Sequence, residues 1–199
     1  MDNINKRAFI EAVTNFEPLS SEVVDFILPK LQVHRLPKGT ALLTLDDVCD
    51  RLYFLHTGLA YAYYAVRDQE ITSWFAKERD FIYSPQSFLK REPAQEAIML
   101  LENAVLVSLT FDDMEAIYDT YPITNKIGRL ITEHYILQYD ERARLLRSYN
   151  VEQRFKLFVE ANPALHPRLP FNLIASFLGT ASVTLSRILS KKMKCSNSN

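Results

Sequence analysis

Between Thr180 and Lys191 the chain sets small hydrogen-bonding side chains and positive charge at helical spacing. Leu185, Ile188 and Leu189 form an apolar stripe, which leaves Ser182, Thr184, Ser186 and Arg187 pointing outwards. Hydroxyls and a guanidinium on an exposed helix suit the phosphate oxygens and base edges of a major groove. The same pattern fits an ordinary helical hairpin in a core, so neighbouring stretches have to decide. Other chemistries find less support. Cys49 and Cys195 lie far apart and cannot supply a four-cysteine zinc or iron–sulfur site. His34, His56, His134 and His166 show no HxH or HExxH spacing, so no metal site is expected and no cofactor is identifiable. A haem on His34, His56 or His134 stays open at this level.

The elements that must position those outward residues are legible. Leu173, Ile174, Phe177 and Leu178 make the buried stripe of a preceding helix, and Gly179 ends it where a positive φ permits a sharp turn. Ala175 is small enough for a second helix to pack closely. Residues 173–192 therefore read as a helix–turn–helix. Charge separates this end from the rest. Residues 140–199 hold ten Lys/Arg against four acids, a net of +6, on a chain whose total is −1. A basic end on an acidic body is the electrostatic footprint of a DNA-binding tail.

Length and composition set the frame. With 199 residues, 48% of them hydrophobic and 24% charged, the chain reads as a folded soluble protein of one or two domains. No apolar run reaches the roughly 18–20 residues that span a bilayer, and residues 1–13 lack a signal-peptide core. No membrane association and a cytoplasmic location are expected.

Residues 5–16 and 19–31 read as short helices, with Ser20 or Ser21 as the cap of the second. From Val33 to Phe111, short aromatic-rich segments alternate with turns, at Pro37–Gly39, at His56–Gly58 and near Glu102–Asn103. Strands at this spacing predict a β-barrel or jelly-roll-like module. Asp112 or Asp113 is expected to cap a short helix, 114–121. A long helix follows over 122–147, in which Ile123, Ile127, Leu130, His134 and Leu137 make a seam suited to pairing with a second copy. A helix over 151–161, started by Asn150 or Ser148, and the connector PALHPRLP lead into the helix–turn–helix.

This order, together with LPKGTALL, YFLHTGLAYAYY, EITSWF, DFIYSPQSFL, IGRLITEHYILQYDER and IASFLG with TLSRI, resembles the Crp–Fnr family of transcription regulators, in particular members of the Bacteroidetes lineage. The resemblance covers nearly the whole chain. It implies an α+β protein: a cyclic-nucleotide-binding-like double-stranded β-helix over 1–121, a dimerisation helix over 122–147 and a winged helix–turn–helix over 148–199. It implies a homodimer on an inverted-repeat DNA site, with RNA polymerase and a small-molecule effector as further partners.

Family members that bind cyclic AMP begin a phosphate-binding cassette with Phe-Gly-Glu and continue it with an Arg-Ser/Thr-Ala run. Here those places read Phe81-Ile82-Tyr83 and Ala94-Gln95-Glu96, without the phosphate arginine, and Glu96 would oppose a phosphate. Cyclic AMP is not expected as the ligand; the module binds another ligand or none. Tyr61, Tyr63, Trp74, Tyr83, Arg91 and Gln95 are the candidates for a different pocket. The family's glutamate in the recognition helix is also missing. Ser182 and Val183 stand at that pair, and Val183 can meet a thymine methyl instead. The resemblance carries over Thr184 for phosphate and Arg187 for base or phosphate. Thr180 and Ala181 add backbone N–H groups, and Lys191, Lys192 and Lys194 add attraction without sequence preference. Two rivals are a sensor that has lost specific DNA recognition and acts through protein partners, and a cupin-like enzyme, against which the scattered histidines argue.

Overall fold

The computed structural model describes residues 1–67 and 69–196, with side chains described up to Ser190. The chain divides into two compact units: Met1–Glu70 with Trp74–Tyr135, and Ile71–Ser73 with Ile136–Asn199. The division falls within the long helix instead of at either of its ends.

The first unit opens with helices α1 (Asp2–Thr14) and α2 (Ser21–Ile27). Ser20 caps α2 by accepting from the Val23 N–H. Eight strands follow: β1 (Gln32–Leu36), β2 (Ala41–Leu43), β3 (Arg51–Thr57), β4 (Ala60–Val66), β5 (Gln69–Ala76), β6 (Phe81–Ile82), β7 (Glu96–Leu100) and β8 (Ala104–Thr110). They form two four-stranded sheets, A in the order β1-β8-β3-β6 and B in the order β2-β7-β4-β5. The turn at Gly58 therefore hands the chain from sheet A to sheet B instead of closing a hairpin. This is the expected jelly-roll-like β-roll.

Sheet A packs apolar residues on both faces. One face carries Phe54, Phe81, Val107 and Leu109 against the helices, where Phe9 meets Phe54 and Phe81 edge-on. The other carries Leu55, Ile82 and Leu106 against Ala60, Ala62, Ile98 and Leu100 of sheet B. Between β6 and β7 lies a short helix that the sequence reading missed, α3 (Pro85–Lys90), ended by Arg91 in the left-handed conformation.

Helix α4 (Phe111–Thr120) starts earlier than expected, and its cap is Thr110, whose hydroxyl accepts from the Asp113 N–H. Asp112 and Asp113 lie in the first turn instead, where their charge suits the helix dipole. The long helix α5 (Ile123–Ser148) divides the expected seam. Ile127, with Ile131 and Tyr135, packs into the first unit's own core. Ile123 and Leu137 stay exposed, and His134 lies against Phe16. Edge strand β6 is fastened to α5 where the Phe81 N–H donates to the Tyr135 hydroxyl at 2.7 Å.

The second unit holds α6 (Val151–Ala161), a 3₁₀ turn at His166–Arg168, α7 (Phe171–Phe177) and α8 (Ser182–Ser196). Asn150 and Gln153 close a reciprocal capping box on α6. Its core is Phe158, Leu165, Leu169, Ile174, Ala175, Leu178 and Leu185. No strand occurs after Thr110 among the described residues, so the wing of the expected winged helix–turn–helix is not found there; the proline-rich connector makes the 3₁₀ turn. No single described helix is long and apolar enough to cross a membrane.

Candidate nucleic-acid interface and effector pocket

Helices α7 and α8 meet at 99° across the turn that Gly179 makes at φ +70°. That angle is the helix–turn–helix range, and Gly179 permits it because L side chains rarely adopt this φ. Buried Ala175 and Leu185 bring the two helices together. The C-terminal carbonyls of α7 are held by two arginines. Arg154 donates to Leu178 O at 2.9 Å and, through Nε, to Tyr149 O at 2.7 Å. Arg142 donates to Phe177 O at 3.2 Å and lies over the Phe177 ring. Two of the basic residues that set the charge asymmetry thus serve the scaffold.

Exposure differs among the residues expected to point outwards from α8 and its start. Val183 is 79% exposed, Ser186 and Arg187 are exposed, and Thr180, Ser182 and Thr184 are half-buried. The backbone of Lys191 continues α8, but its side chain, like those of Lys192, Lys194 and Cys195, lies outside the described residues.

The six pocket candidates do not converge. On β4 the core residues are Ala60 and Ala62, so Tyr61 and Tyr63 face away from the roll interior, stacked on each other at 5.8 Å. Tyr83 packs edge-on against Phe88. Arg91 donates to Cys49 O at 2.6 Å, and its guanidinium covers the Phe111 ring, so it anchors α3. Gln95 lines a separate open groove with Tyr64, Gln86 and Glu92. Trp74 packs against the roll's core, as Tyr83 does, and its Nε1–H donates to Glu96 at 3.2 Å. Burial pushes the Glu96 carboxyl above its ordinary range, against the hydrogen bonds from Ser84 and Trp74.

A second polar group inside the roll was not read from the sequence. His34 Nε2 lies 2.8 Å from the hydroxyl of fully buried Ser108. Arg51 Nη1 donates to Gln32 at 2.9 Å and to Ser108 at 3.4 Å. The Tyr53 ring meets the His34 ring edge-on at 5.8 Å. Burial, then the Arg51 charge, pushes the His34 pKa down, so its neutral imidazole can accept from Ser108. Burial pushes the Tyr53 phenol up, which keeps it a proton donor.

No family model matches the sequence, and no curated protein sequence matches it. Solved structures match nearly end to end. The c-di-GMP responsive global regulator CLP from Xanthomonas campestris superposes with a TM-score of 0.70 at 16% identity, over 89% of this chain and 93% of that one. FixK2 from Bradyrhizobium japonicum gives 0.69 at 15% identity, over 83% and 86%. A CooA mutant from Carboxydothermus hydrogenoformans gives 0.67 at 17% identity, over 92% and 83%. The chain has the fold of the Crp–Fnr regulators.

Proposed function

We propose that the protein is a homodimeric, sequence-specific DNA-binding transcription regulator of Crp–Fnr type and not an enzyme. The observation that carries this reading is the 99° helix pair with Val183, Ser186 and Arg187 exposed on its second helix. Arg187 would reach a base edge or phosphate, Val183 a thymine methyl, and Thr180, Ser182 and Thr184 the backbone of one half-site. Two copies would pair through the exposed side of α5 and set their α8 helices about 34 Å apart on an inverted repeat. The protein would act in the cytoplasm, where its contact with RNA polymerase decides the outcome at a promoter.

The β-roll would house an effector other than cyclic AMP. Glu96, held inward by Trp74, opposes a phosphate, and Arg91 is committed to Cys49 and Phe111. One similar structure is a regulator named as responsive to c-di-GMP, so effectors differ within this fold. Binding would act by population shift, favouring the arrangement of α5 and α8 that fits the operator.

The test is fluorescence anisotropy on DNA from the protein's own promoter against a scrambled fragment, at two salt concentrations, with and without cyclic AMP. Preference for the promoter at both salts, indifferent to cyclic AMP, is expected. Equal binding to both fragments that salt erases would overturn specific recognition and leave a partner-binding sensor.

A further inference from the structure

The inner face of sheet A changes character along three strands at once. Leu36, Leu55 and Leu106 are apolar; two residues along each strand stand His34, Tyr53 and Ser108, with Arg51 beyond on β3. Polar groups placed where leucines would pack are costly unless they are engaged. Arg51 and Tyr53 line a groove of about 360 Å³ between β2 and the start of β3. That volume lies in the range of small-molecule clefts.

Two open donors come from Arg51 and Tyr53. Arg51 engages Gln32 and Ser108 through Nη1 and stands 3.7 Å from Asp50 through Nε, which leaves Nη2. No hydrogen bond to the Tyr53 hydroxyl is found among the described residues. Two carboxylates, Asp47 and Asp50, also line the groove, and neither occupies the Arg51 Nη2 or the Tyr53 hydroxyl. Asp47 accepts from the Thr44 hydroxyl, and the Asp50 side chain is 63% exposed. Leu43 and Val48 supply an apolar wall.

We propose that this groove binds a small organic carboxylate, its oxygens held by Arg51 and Tyr53 and its hydrocarbon part against Leu43 and Val48, as the effector site of the β-roll. The proposal rests on the sensor reading above and names its ligand class. His34 and Ser108 act as positioning residues: they hold Arg51 at the groove without touching the ligand.

Isothermal titration of the full chain with sodium benzoate tests it, with benzyl alcohol as the uncharged isostere and inorganic phosphate as the bare anion. Saturable binding of one benzoate per chain is expected, with none of benzyl alcohol. A hydrogen bond to a charged group supports a loss of about tenfold or more in Arg51→Met, with partial recovery in Arg51→Lys. Tyr53→Phe keeps the ring in place and is expected to weaken binding about three- to tenfold, so it carries the test if Arg51→Met fails to fold. Absence of saturable benzoate binding, equal binding by folded Arg51→Met, or phosphate binding as tight as benzoate would each overturn the carboxylate site. Titration without DNA keeps this outcome separate from the regulator reading. Benzoate binding by a chain that selects no DNA would keep the site and remove the regulator. Benzoate binding that leaves DNA affinity unchanged would overturn the effector role.

Discussion

A single missing Cβ shows how closely the first unit is packed. Gly128 lies in α5 with the Tyr118 hydroxyl against it, so a methyl group at 128 would overlap that oxygen. Burial, with Glu115 nearby, pushes the Tyr118 phenol up to about 12, so it stays neutral at any working pH. Gly128→Ala is therefore expected to cost about 1–3 kcal/mol despite the better helix propensity of alanine. Adding Tyr118→Phe removes the clashing oxygen and recovers part of the loss, which a double-mutant cycle by urea unfolding would read. Glu96 supplies the pH case. Its folded pKa is raised, so the folded state favours the protonated acid, and ionisation opposes folding as pH rises through the raised value. Glu96→Gln keeps an acceptor for Trp74 and is expected to raise the melting temperature at pH 7. The difference should fade as pH falls into the ordinary carboxylate range. A gap that widens in acid would reverse the assignment. Neither Gly128 nor Glu96 could be ranked from sequence, because both effects depend on which distant side chain lies opposite.

At the scale of elements, the local signals survived and the facing of strands did not. The Asn150 cap, the Gly179 turn and the strand-rich order were legible because each rests on residues adjacent in the chain. The orientation of β4 was not. Alternation separates Ala60 and Ala62 from Tyr61 and Tyr63, but period two does not say which set is inside. The large aromatics suggested the interior, and the gap between the two sheets takes the alanines. The Arg51 group was invisible for a related reason: His34, Arg51 and Ser108 meet only once β1, β3 and β8 are in register. The α7–α8 pair depends on such a distant contact too. From α6, Arg154 reaches the Leu178 carbonyl at the end of α7 and, closer in the chain, the Tyr149 carbonyl. Arg154→Gln is expected to cost about 1.5–3 kcal/mol, the worth of a hydrogen bond to a charged group. It should loosen α7 and α8 without touching the β-roll. Amide exchange would then speed up in residues 171–190 and stay unchanged in β3 and β8; faster exchange throughout would mean that the helix pair is not a separate cooperative unit.

For the whole molecule, the proposed regulator raises the question whether one α8 helix or two would meet DNA, and the exposed residues of α5 bear on it. Ile127, Ile131 and Tyr135 are spent on the protomer's own core. Ile123, Leu130 and Leu137 recur at intervals of seven on α5, and Ile136 and Leu137 are 61% and 64% exposed. An apolar row at that interval would suit a paired helix, and a charge within it would be strongly disfavoured in such a pair but tolerated in water. Leu137→Glu should therefore leave the circular dichroism of the protomer unchanged while sedimentation shows a monomer at micromolar concentration. Its affinity for an inverted repeat should fall by at least about 100-fold, because the second half-site no longer benefits from linkage to the first. Salt dependence then separates lost pairing from a damaged reading helix. If the dimer meets two half-sites, the slope of log affinity against log salt counts the phosphates on both, and the monomer should show about half of it. A dimeric Leu137→Glu protein with the full slope would place the pairing surface elsewhere, and a monomeric wild type with the same slope as the variant would mean that one helix suffices.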